Sequence, residues 1–264
     1  MHINDPYSTI IYSVDSKVAT ILLNRPKALN AINKQLRDEL HHALDKAAAD
    51  PAISLLVISG NGSIFSAGTD LTEPMSSKGG TLEQWINEEY KPLLLAIHEM
   101  PKIVISAING LATGVGGALA MACDLTVMAE DAAIYQAFSL LGAAPDGGTA
   151  WQLVNTLGYK KALEVIIEAK RISAEQCLVY GLANRVVPAT ELMSETLAWA
   201  QQLASGAPLS QRATKQALQF AMQGSFADTI SFEAKLQDQC SQSRDCQEAV
   251  SAFKEKRKPV FNGT

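Results

Sequence analysis

The 264-residue sequence has little of what marks basic, membrane-spanning or exported proteins. Its net charge is −5, whereas nucleic-acid-binding proteins use an excess of Lys and Arg to neutralise phosphates. No apolar run approaches the roughly 18 residues that a membrane span needs, and residues 1–11 lack the basic-then-apolar pattern of a signal peptide. We therefore expect a cytoplasmic protein without nucleic-acid or membrane partners.

Cysteine is also scarce. The four cysteines, at positions 123, 177, 240 and 246, show neither C-x-x-C spacing nor nearby paired histidines. We therefore expect reduced, buried thiols, with no disulfide and no metal site. Hydrophobic residues make up 47% of the chain, which supports one large domain, or one domain with an appendage, around an ample core.

The most informative stretch is residues 103–124, which read IVISAINGLATGVGGALAMACD. Its first six residues form an apolar, β-branched run of strand length, and the Asn-Gly pair that follows favours a tight turn. Gly114, Gly116 and Gly117 then lead into a run of small residues typical of a buried helix. The backbone amides near Val115 are therefore predicted to face outward at a positive helix N-terminus, which can hold a developing negative charge.

The glycines of this stretch also fit two other interpretations. Glycines before a helix also occur where backbones merely pack closely, and the residues alone leave that interpretation open. A dinucleotide-binding loop needs G-x-G-x-x-G/A, but counting from Gly114 puts Leu119 at the third small position. The acidic residues Glu130 and Asp131 also fall short of the required spacing, so we reject a dinucleotide site.

Strands and helices alternate over the first two thirds of the chain. Strands are predicted at 9–14, 18–23, 53–59, 125–129 and 183–187, and helices at 32–50, 82–98 and from Ser173 to Gly181. A loop at 74–81 could act as a lid. The order of strand, Asn/Gly turn and small-residue loop recurs at 53–71 and 103–117, a weak internal repeat that favours units stacked in a spiral.

From residue 191 onward only helices are predicted, at 192–203, 209–222, 226–242 and 245–256. Their apolar stripes need partners to cover them. We therefore predict an α/β core over residues 1–190, and a helical region over residues 191–264 that docks on the core or on another subunit.

Four motifs, in this order, resemble the enoyl-CoA hydratase/isomerase, or crotonase, superfamily. They read LNRPKALNA at 23–31, FSAGTDL at 65–71, AING at 107–110 and SAFKEKRKP at 251–259. The resemblance implies a spiral of ββα turns followed by trimerising helices, usually with two trimers stacked as a hexamer. It also implies an acyl-CoA thioester substrate, with neither a metal nor a redox cofactor.

The resemblance further implies that two backbone amides, those of Ala67 and Val115, bind the thioester oxygen. Enolising a thioester puts negative charge on that oxygen, and two preorganised N–H donors can stabilise it by several kcal/mol. Further contacts to the acyl-CoA are implied for Lys27, Ala28, Ser66, Gly68, Thr69, Asp70, Leu71, Gly114, Phe138, Phe253 and Lys256, the last two from a neighbouring subunit. For Lys27, Phe253 and Lys256, solvated charges and a core phenylalanine remain the alternative.

Departures from the family pattern carry the most information about the reaction. Hydratases of this family place two glutamates around the water that they add, and the matching positions here are Ala118 and Phe138. Neither side chain can move a proton. Asp146, in the sequence Pro-Asp-Gly-Gly, resembles the carboxylate of the family's enoyl-CoA isomerases, although the same four residues are also typical of a structural turn.

These residues predict an acyl-CoA isomerase that shifts a double bond from Δ3 to Δ2, with Asp146 as the proton shuttle. Alternatives are a hydratase that uses Asp146 alone, an aryl-CoA enzyme in which Asp146 attacks the ring, and a non-catalytic acyl-CoA-binding subunit. Asp70 is expected to cap a helix after the Ala67 loop, and His98 to lie on a helix flank. Acyl chain length and pathway are not predicted.

Overall fold

The structure is a computed structural model that describes residues 7–74 and 80–264. Its strands are β1 (Ile10–Asp15), β2 (Val18–Leu23), β3 (Leu55–Gly60), β4 (Ile103–Ile108), β5 (Leu111–Thr113), β6 (Leu125–Ala129), β7 (Ala133–Tyr135), β8 (Arg171–Ser173) and β9 (Arg185–Val187). Its α-helices are α1 (Lys34–Ala49), α2 (Leu82–Trp85), α3 (Lys91–His98), α4 (Val115–Ala122), α5 (Thr149–Leu157), α6 (Tyr159–Glu168), α7 (Ala174–Tyr180), α8 (Leu192–Ala204), α9 (Pro208–Ala221), α10 (Phe226–Ser241) and α11 (Arg244–Glu255).

The larger sheet has the strand order β1-β2-β3-β4-β6-β9. Strands β1 and β2 form the predicted antiparallel hairpin, with Ile10 opposite Leu23, and every later pairing in this sheet is parallel. All six residues of β3 are buried, as expected for a parallel strand that is covered on both faces. The carboxyl ends of β2, β3 and β4 therefore lie side by side at one edge of the sheet.

A second sheet completes the spiral. It contains β5, β7 and β8 in that order, and β5 pairs with β7 in parallel register. After β4 the chain passes through β5 into helix α4, and after β6 it passes through β7 toward helices α5 and α6. The predicted units of strand, strand and helix are therefore present. The short strands β5, β7 and β8 were not predicted, because three residues are too few for a period of two to be recognised.

Local capping explains where several helices begin. Asn33 caps α1 by accepting a hydrogen bond from the Leu36 amide. The predicted capping box at Ser173 and Gln176 begins α7, and Gly181 ends that helix in a left-handed conformation. The helix predicted over 82–98 is interrupted by a π-helical turn at Ile86–Tyr90 between α2 and α3. We refer to residues 82–98 as the wall helix.

Helix α8, the first helix of the predicted helical region, docks on the core. The helix packs on β2, β3, β4 and β6, and buries Leu192, Thr196 and Ala200 against them. This is one of the two arrangements predicted for the helical region, because the amphipathic stripe of a helix does not reveal whether its partner is the same chain or another. The boundary between residues 190 and 191 stays a prediction.

Helix α9 is also tied to the core, in this case by a buried ion pair. Lys215 Nζ lies 2.9 Å from Asp124 Oδ2, and the same carboxylate accepts a hydrogen bond from the Val104 amide at 2.8 Å. Phe220 of α9 stacks on Phe232 of α10 with the ring centroids 4.5 Å apart. Helix α10 therefore packs on α9, and α11 contacts α10 in turn.

Other expectations have mixed outcomes. Cys123 and Cys177 are buried, but Cys240 and Cys246 are only half-buried. Among the described helices, none is long and apolar enough to cross a membrane. Most of the loop predicted at 74–81 lies outside the described residues.

Candidate active site

Two chain segments lie together at the carboxyl edge of the larger sheet, residues 24–32 after β2 and residues 64–70 after β3. Ser66 Oγ donates a hydrogen bond to the Asn30 carbonyl at 2.8 Å. The Ile32 amide donates to the Gly68 carbonyl at 2.7 Å. The Asn30 side chain adds donors to the carbonyls of residues 61 and 64. We call residues 66–70, which these contacts hold, the thioester loop.

The amide of Ala67 is not available to a ligand. It donates a hydrogen bond to the Leu29 carbonyl at 2.9 Å, so the predicted role of this amide in binding the thioester oxygen is wrong. Sequence motifs locate the thioester loop, but they do not reveal which of its amides are used within the protein.

The amide of Thr69, in the same loop, is not used within the described protein. The Gly68 amide donates to Ser66 Oγ at 3.1 Å, and the Asp70 amide donates to the Ile32 carbonyl at 3.3 Å. Because Ile32 bridges Thr69 in parallel register, neighbouring amides alternate in direction. The Thr69 amide thus points away from Ile32, and within residues 7–74 and 80–264 no acceptor is found for it.

The second candidate donor lies where the sequence predicts it, at the start of α4. Gly114 adopts φ 51° and ψ −125° immediately before the helix, a conformation that strongly favours glycine. Its amide donates to the Tyr135 carbonyl at 3.0 Å. The next amide, that of Val115, begins the helix and has no acceptor among the described residues, as expected for the first turn of a helix.

Glycines allow the thioester loop to approach this helix closely. A Cβ atom placed on Gly116 would lie 2.7 Å from Ser66 Cβ, and one placed on Gly68 would lie 3.6 Å from the Val115 amide nitrogen. Since Gly68 is covalently joined to Thr69, the amides of Thr69 and Val115 belong to one small region. The positive end of α4 adds to their attraction for a negative oxygen.

Asp146 lies beside the same helix. A Cβ atom on Gly147 would lie 2.9 Å from Ala118 Cβ and 3.4 Å from Val115 Cγ2, so the Asp146 loop packs directly on the first turns of α4. Asp146 Oδ1 is buried without a hydrogen-bond partner among the described residues. Burial raises the pKa of Asp146 above its usual value, as expected for a carboxylate with poor solvation.

The predicted helix cap at Asp70 is wrong. Its carboxylate accepts hydrogen bonds from the Thr72 amide at 3.1 Å and the Thr72 hydroxyl at 2.6 Å, which closes a turn rather than a helix. The opposite oxygen pairs with Arg25 at 2.8 Å. The Thr72 hydroxyl and then Arg25 hold the pKa of Asp70 below its usual value. This residue therefore braces the thioester loop against residue 25.

A groove of about 480 Å³ runs from Gly147 between the wall helix and α5. It is lined by Ile86, Tyr90, Leu94, Leu95, His98, Gly147, Gly148, Trp151 and Gln152, among others. His98 ends α3, and its ring meets Trp151 edge to face with the centroids 5.5 Å apart. His98 thus lies on a helix, as expected, and it also lines the groove. The lining is mainly apolar, which suits a hydrocarbon or aromatic group.

The other predicted contact residues fall into two places. Lys27 and Ala28 lie in a 3-10 turn beside the thioester loop, where Lys27 is exposed and Ala28 half-buried, and Leu71 is 70% exposed just after the loop. Phe138 is buried in a 3-10 turn that precedes the Asp146 loop.

Phe253 and Lys256 lie elsewhere, at the end of α11. The tail after this helix reaches Lys17, whose Nζ donates to the Phe261 carbonyl at 3.3 Å. Lys17 immediately precedes β2, so this contact is at the opposite edge of the sheet from the thioester loop. A single chain thus does not bring Phe253 or Lys256 to that loop, and their predicted role depends on a second copy.

No cluster of three or more His, Cys, Asp or Glu side chains with metal-binding geometry occurs in the part of the chain that the structure describes. The absence of a metal or redox cofactor from the reaction stays a prediction.

Comparisons with known proteins agree with this architecture. Residues 13–264 match the model of the enoyl-CoA hydratase/isomerase family. A probable enoyl-CoA hydratase of Rhodobacter capsulatus is 37% identical over 257 residues, covering 97% of this chain and 99% of the relative. The 1,2-epoxyphenylacetyl-CoA isomerase of Escherichia coli is 33% identical over 261 residues, covering 96% and 98%.

Solved structures show the same likeness. The crystal structure of an enoyl-CoA hydratase from Bacillus anthracis superposes with a TM-score of 0.92 at 28% identity, covering 97% of this chain and all of that one. The spiral sheets and C-terminal helices define a protein of the crotonase fold. The chain belongs to the enoyl-CoA hydratase/isomerase family.

The raised pKa of Asp146 predicts a stability effect with a definite sign. The folded state binds this proton more tightly than the unfolded state, so ionisation at neutral pH costs folding free energy. Asp146→Asn should therefore raise the free energy of unfolding at pH 7, and the gain should shrink as the pH falls toward about 4. Urea titrations at several pH values measure this difference.

Asp131→Asn, at an exposed turn position, is the matched control and should show no such trend. An Asp146→Asn protein that is no more stable than the parent at pH 7, or whose gain grows in acid, would contradict the assignment of a poorly solvated carboxylate.

Proposed function

We propose that the protein isomerises 3-enoyl-CoA thioesters to 2-enoyl-CoA thioesters. The observation that supports this proposal is one buried carboxylate oxygen of Asp146, without a partner in the described chain, beside the region where the thioester loop and the start of α4 present the unused amides of Thr69 and Val115. A base that must both remove and return a proton needs to lie near the thioester and away from competing hydrogen bonds.

The proposed reaction balances with these groups alone. The Asp146 carboxylate removes a proton from C2 of the 3-enoyl thioester, and the electron pair moves onto the thioester oxygen. The amides of Thr69 and Val115 donate to that oxygen as its charge develops. The same carboxyl group then returns the proton to C4, which leaves the double bond at C2 and the carboxylate regenerated.

The residues around Asp146 favour isomerisation over hydration. Ala118 is fully buried and lies against Gly147 of the Asp146 loop, and its methyl group cannot move a proton. Phe138 is 8% exposed and apolar. Adding water needs a positioned base and a positioned acid, each typically worth about 10²–10⁴-fold in rate, and neither of the two positions where the family's hydratases carry glutamates has a carboxylate here.

Two alternatives retain support from named relatives. The Rhodobacter relative is described as a probable hydratase, and a hydratase could use Asp146 to activate water. The Escherichia coli relative is named for an aryl-CoA substrate, and the Tyr90 and Trp151 side chains in the groove would suit an aromatic acyl group. Hydration releases a 3-hydroxyacyl-CoA, which mass spectrometry separates from an isomerised product.

Assembly into a trimer or hexamer is part of the same proposal. Helices α9, α10 and α11 expose Leu218 at 64%, Phe226 at 84% and Phe253 at 85%, an arrangement that a monomer tolerates poorly. A neighbouring copy would cover these side chains. The neighbouring copy would also place its own Phe253 and Lys256 near the acyl-CoA that is bound to this copy. We further propose a cytoplasmic location.

Substitution of the proposed base tests the reaction. Asp146→Asn should lower turnover of a 3-enoyl-CoA by at least about 10²-fold while acyl-CoA affinity changes little, because the amide cannot take a proton. The rise in ultraviolet absorbance as the double bond becomes conjugated measures turnover, and calorimetry with a non-reactive acyl-CoA thioether measures affinity. Asp131→Asn is the control. Full isomerase activity in Asp146→Asn would sink the assignment.

Light scattering coupled to size exclusion tests the assembly. At micromolar concentration the protein should elute with the mass of three or six chains, since its 28.3 kDa protomer exposes apolar helices. Phe226→Glu, which places a charge on α10, should shift the distribution toward smaller species. A stable, homogeneous monomer of the parent protein would contradict the proposal.

A further inference from the structure

The Ile32 carbonyl is the meeting point of three donors. It accepts hydrogen bonds from the Asp70 amide at 3.3 Å, the Tyr90 hydroxyl at 3.1 Å and Arg37 Nη1 at 3.4 Å. One donor would satisfy a buried carbonyl, so two of these contacts exceed what burial alone requires. The residue that carries the carbonyl is the bridge partner of Thr69, and its position therefore sets the direction of the Thr69 amide.

Tyr90 belongs to two parts of the site. The residue lines the groove, although it is only 3% exposed, and its hydroxyl donates a hydrogen bond to the carbonyl of Ile32, the bridge partner of the thioester loop. Burial raises the pKa of Tyr90, and the nearby Thr69 side chain and Arg37 charge oppose that effect. The hydroxyl therefore remains protonated, and able to donate, across the neutral range.

Arg37 holds Tyr90 in place from behind. Its guanidinium lies 5.3 Å from the Trp85 ring centroid and 4.9 Å from that of Tyr90. It pairs with Glu73 at 3.3 Å and with Glu89 at 3.0 Å, although its side chain is only 3% exposed. A buried charge is tolerated when it is paired and hydrogen-bonded in this way. The cluster joins α1, the wall helix and the chain just after the thioester loop.

The backbone of the wall helix brings these groups to one side. The π-helical turn at Ile86–Tyr90 contains about one residue more than an α-helical turn. It includes Glu89 and Tyr90, which both contact Arg37. A regular α-helix would rotate the residues before the turn, including Trp85, relative to those after it. The turn thus lets Trp85, Glu89 and Tyr90 contact one guanidinium.

We propose that Tyr90, held by Arg37, is a positioning residue that couples occupancy of the acyl groove to the direction of the Thr69 amide. This inference rests on the proposed function, because it assumes that the Thr69 amide binds the thioester oxygen. An acyl group in the groove contacts the Tyr90 ring, and the hydroxyl of the same residue fixes Ile32 and hence Thr69. Binding of the acyl group, which is remote from the reacting carbons, thereby helps to orient the amide that stabilises the thioester oxygen. This coupling raises kcat rather than lowering KM alone.

The test uses a chromophoric conjugated thioester, 4-dimethylaminocinnamoyl-CoA, whose absorbance moves to longer wavelength when its carbonyl oxygen accepts hydrogen bonds. The parent protein should shift the band. Tyr90→Phe, which keeps the ring in the groove but removes the hydroxyl, should reduce the shift by at least about half while Kd changes less than about threefold. Turnover of a 3-enoyl-CoA should fall about tenfold in kcat with KM nearly unchanged.

Tyr159→Phe, at a 68% exposed residue of α6, is the matched control and should retain the full shift. Arg37→Lys provides a second variant, which keeps the charge but loses the fork that pairs with two carboxylates, and it should lower the shift in the same direction. An unchanged shift and kcat in Tyr90→Phe would overturn the inference. If the parent protein binds the probe without any shift, the proposed function is overturned and the inference with it.

Discussion

The close approach of the thioester loop to the start of α4 is the constraint on which the site depends. Two backbones can approach this closely only where side chains are absent, and a Cβ at Gly116 would lie 2.7 Å from Ser66 Cβ. A Cβ at Gly68 would likewise lie 2.7 Å from the Thr113 carbonyl oxygen. The parallel strands place both backbones at one edge of the sheet, and the glycines allow their outward amides to share a ligand.

A second close contact places Asp146 beside this region. Gly147 packs on α4, where a Cβ added to it would lie 2.9 Å from Ala118 Cβ. The buried oxygen of Asp146 has no partner among the described residues, which costs stability but leaves the carboxylate ready to take a proton. A poorly solvated carboxylate with a perturbed pKa is typical of a functional residue.

Much of the architecture follows from local pattern. The β-branched runs at 103–108 and 125–129 predict strands, and the small residues after Gly114 predict α4, because both signals lie within one element. Non-local pairing explains the failures. The Ala67 amide is used by Leu29, and the Thr69 amide is left unused, because residues 29–32 pair with the thioester loop. Successive amides along an extended segment point in alternate directions, and the sequence could have indicated this alternation. Which of the amides face outward depends on the pairing of the segment with residues 29–32, which the sequence does not reveal.

The central claim is that one carboxylate and two amides enolise a bound thioester. The most direct measurement is exchange of the C2 protons of a saturated acyl-CoA in deuterated buffer, because it reports enolisation without requiring a double bond to move. We expect the parent protein to incorporate deuterium at C2, as followed by mass spectrometry, and Asp146→Asn to slow the incorporation by at least about 10²-fold. Tight binding of saturated acyl-CoA with no exchange above the buffer rate would contradict it.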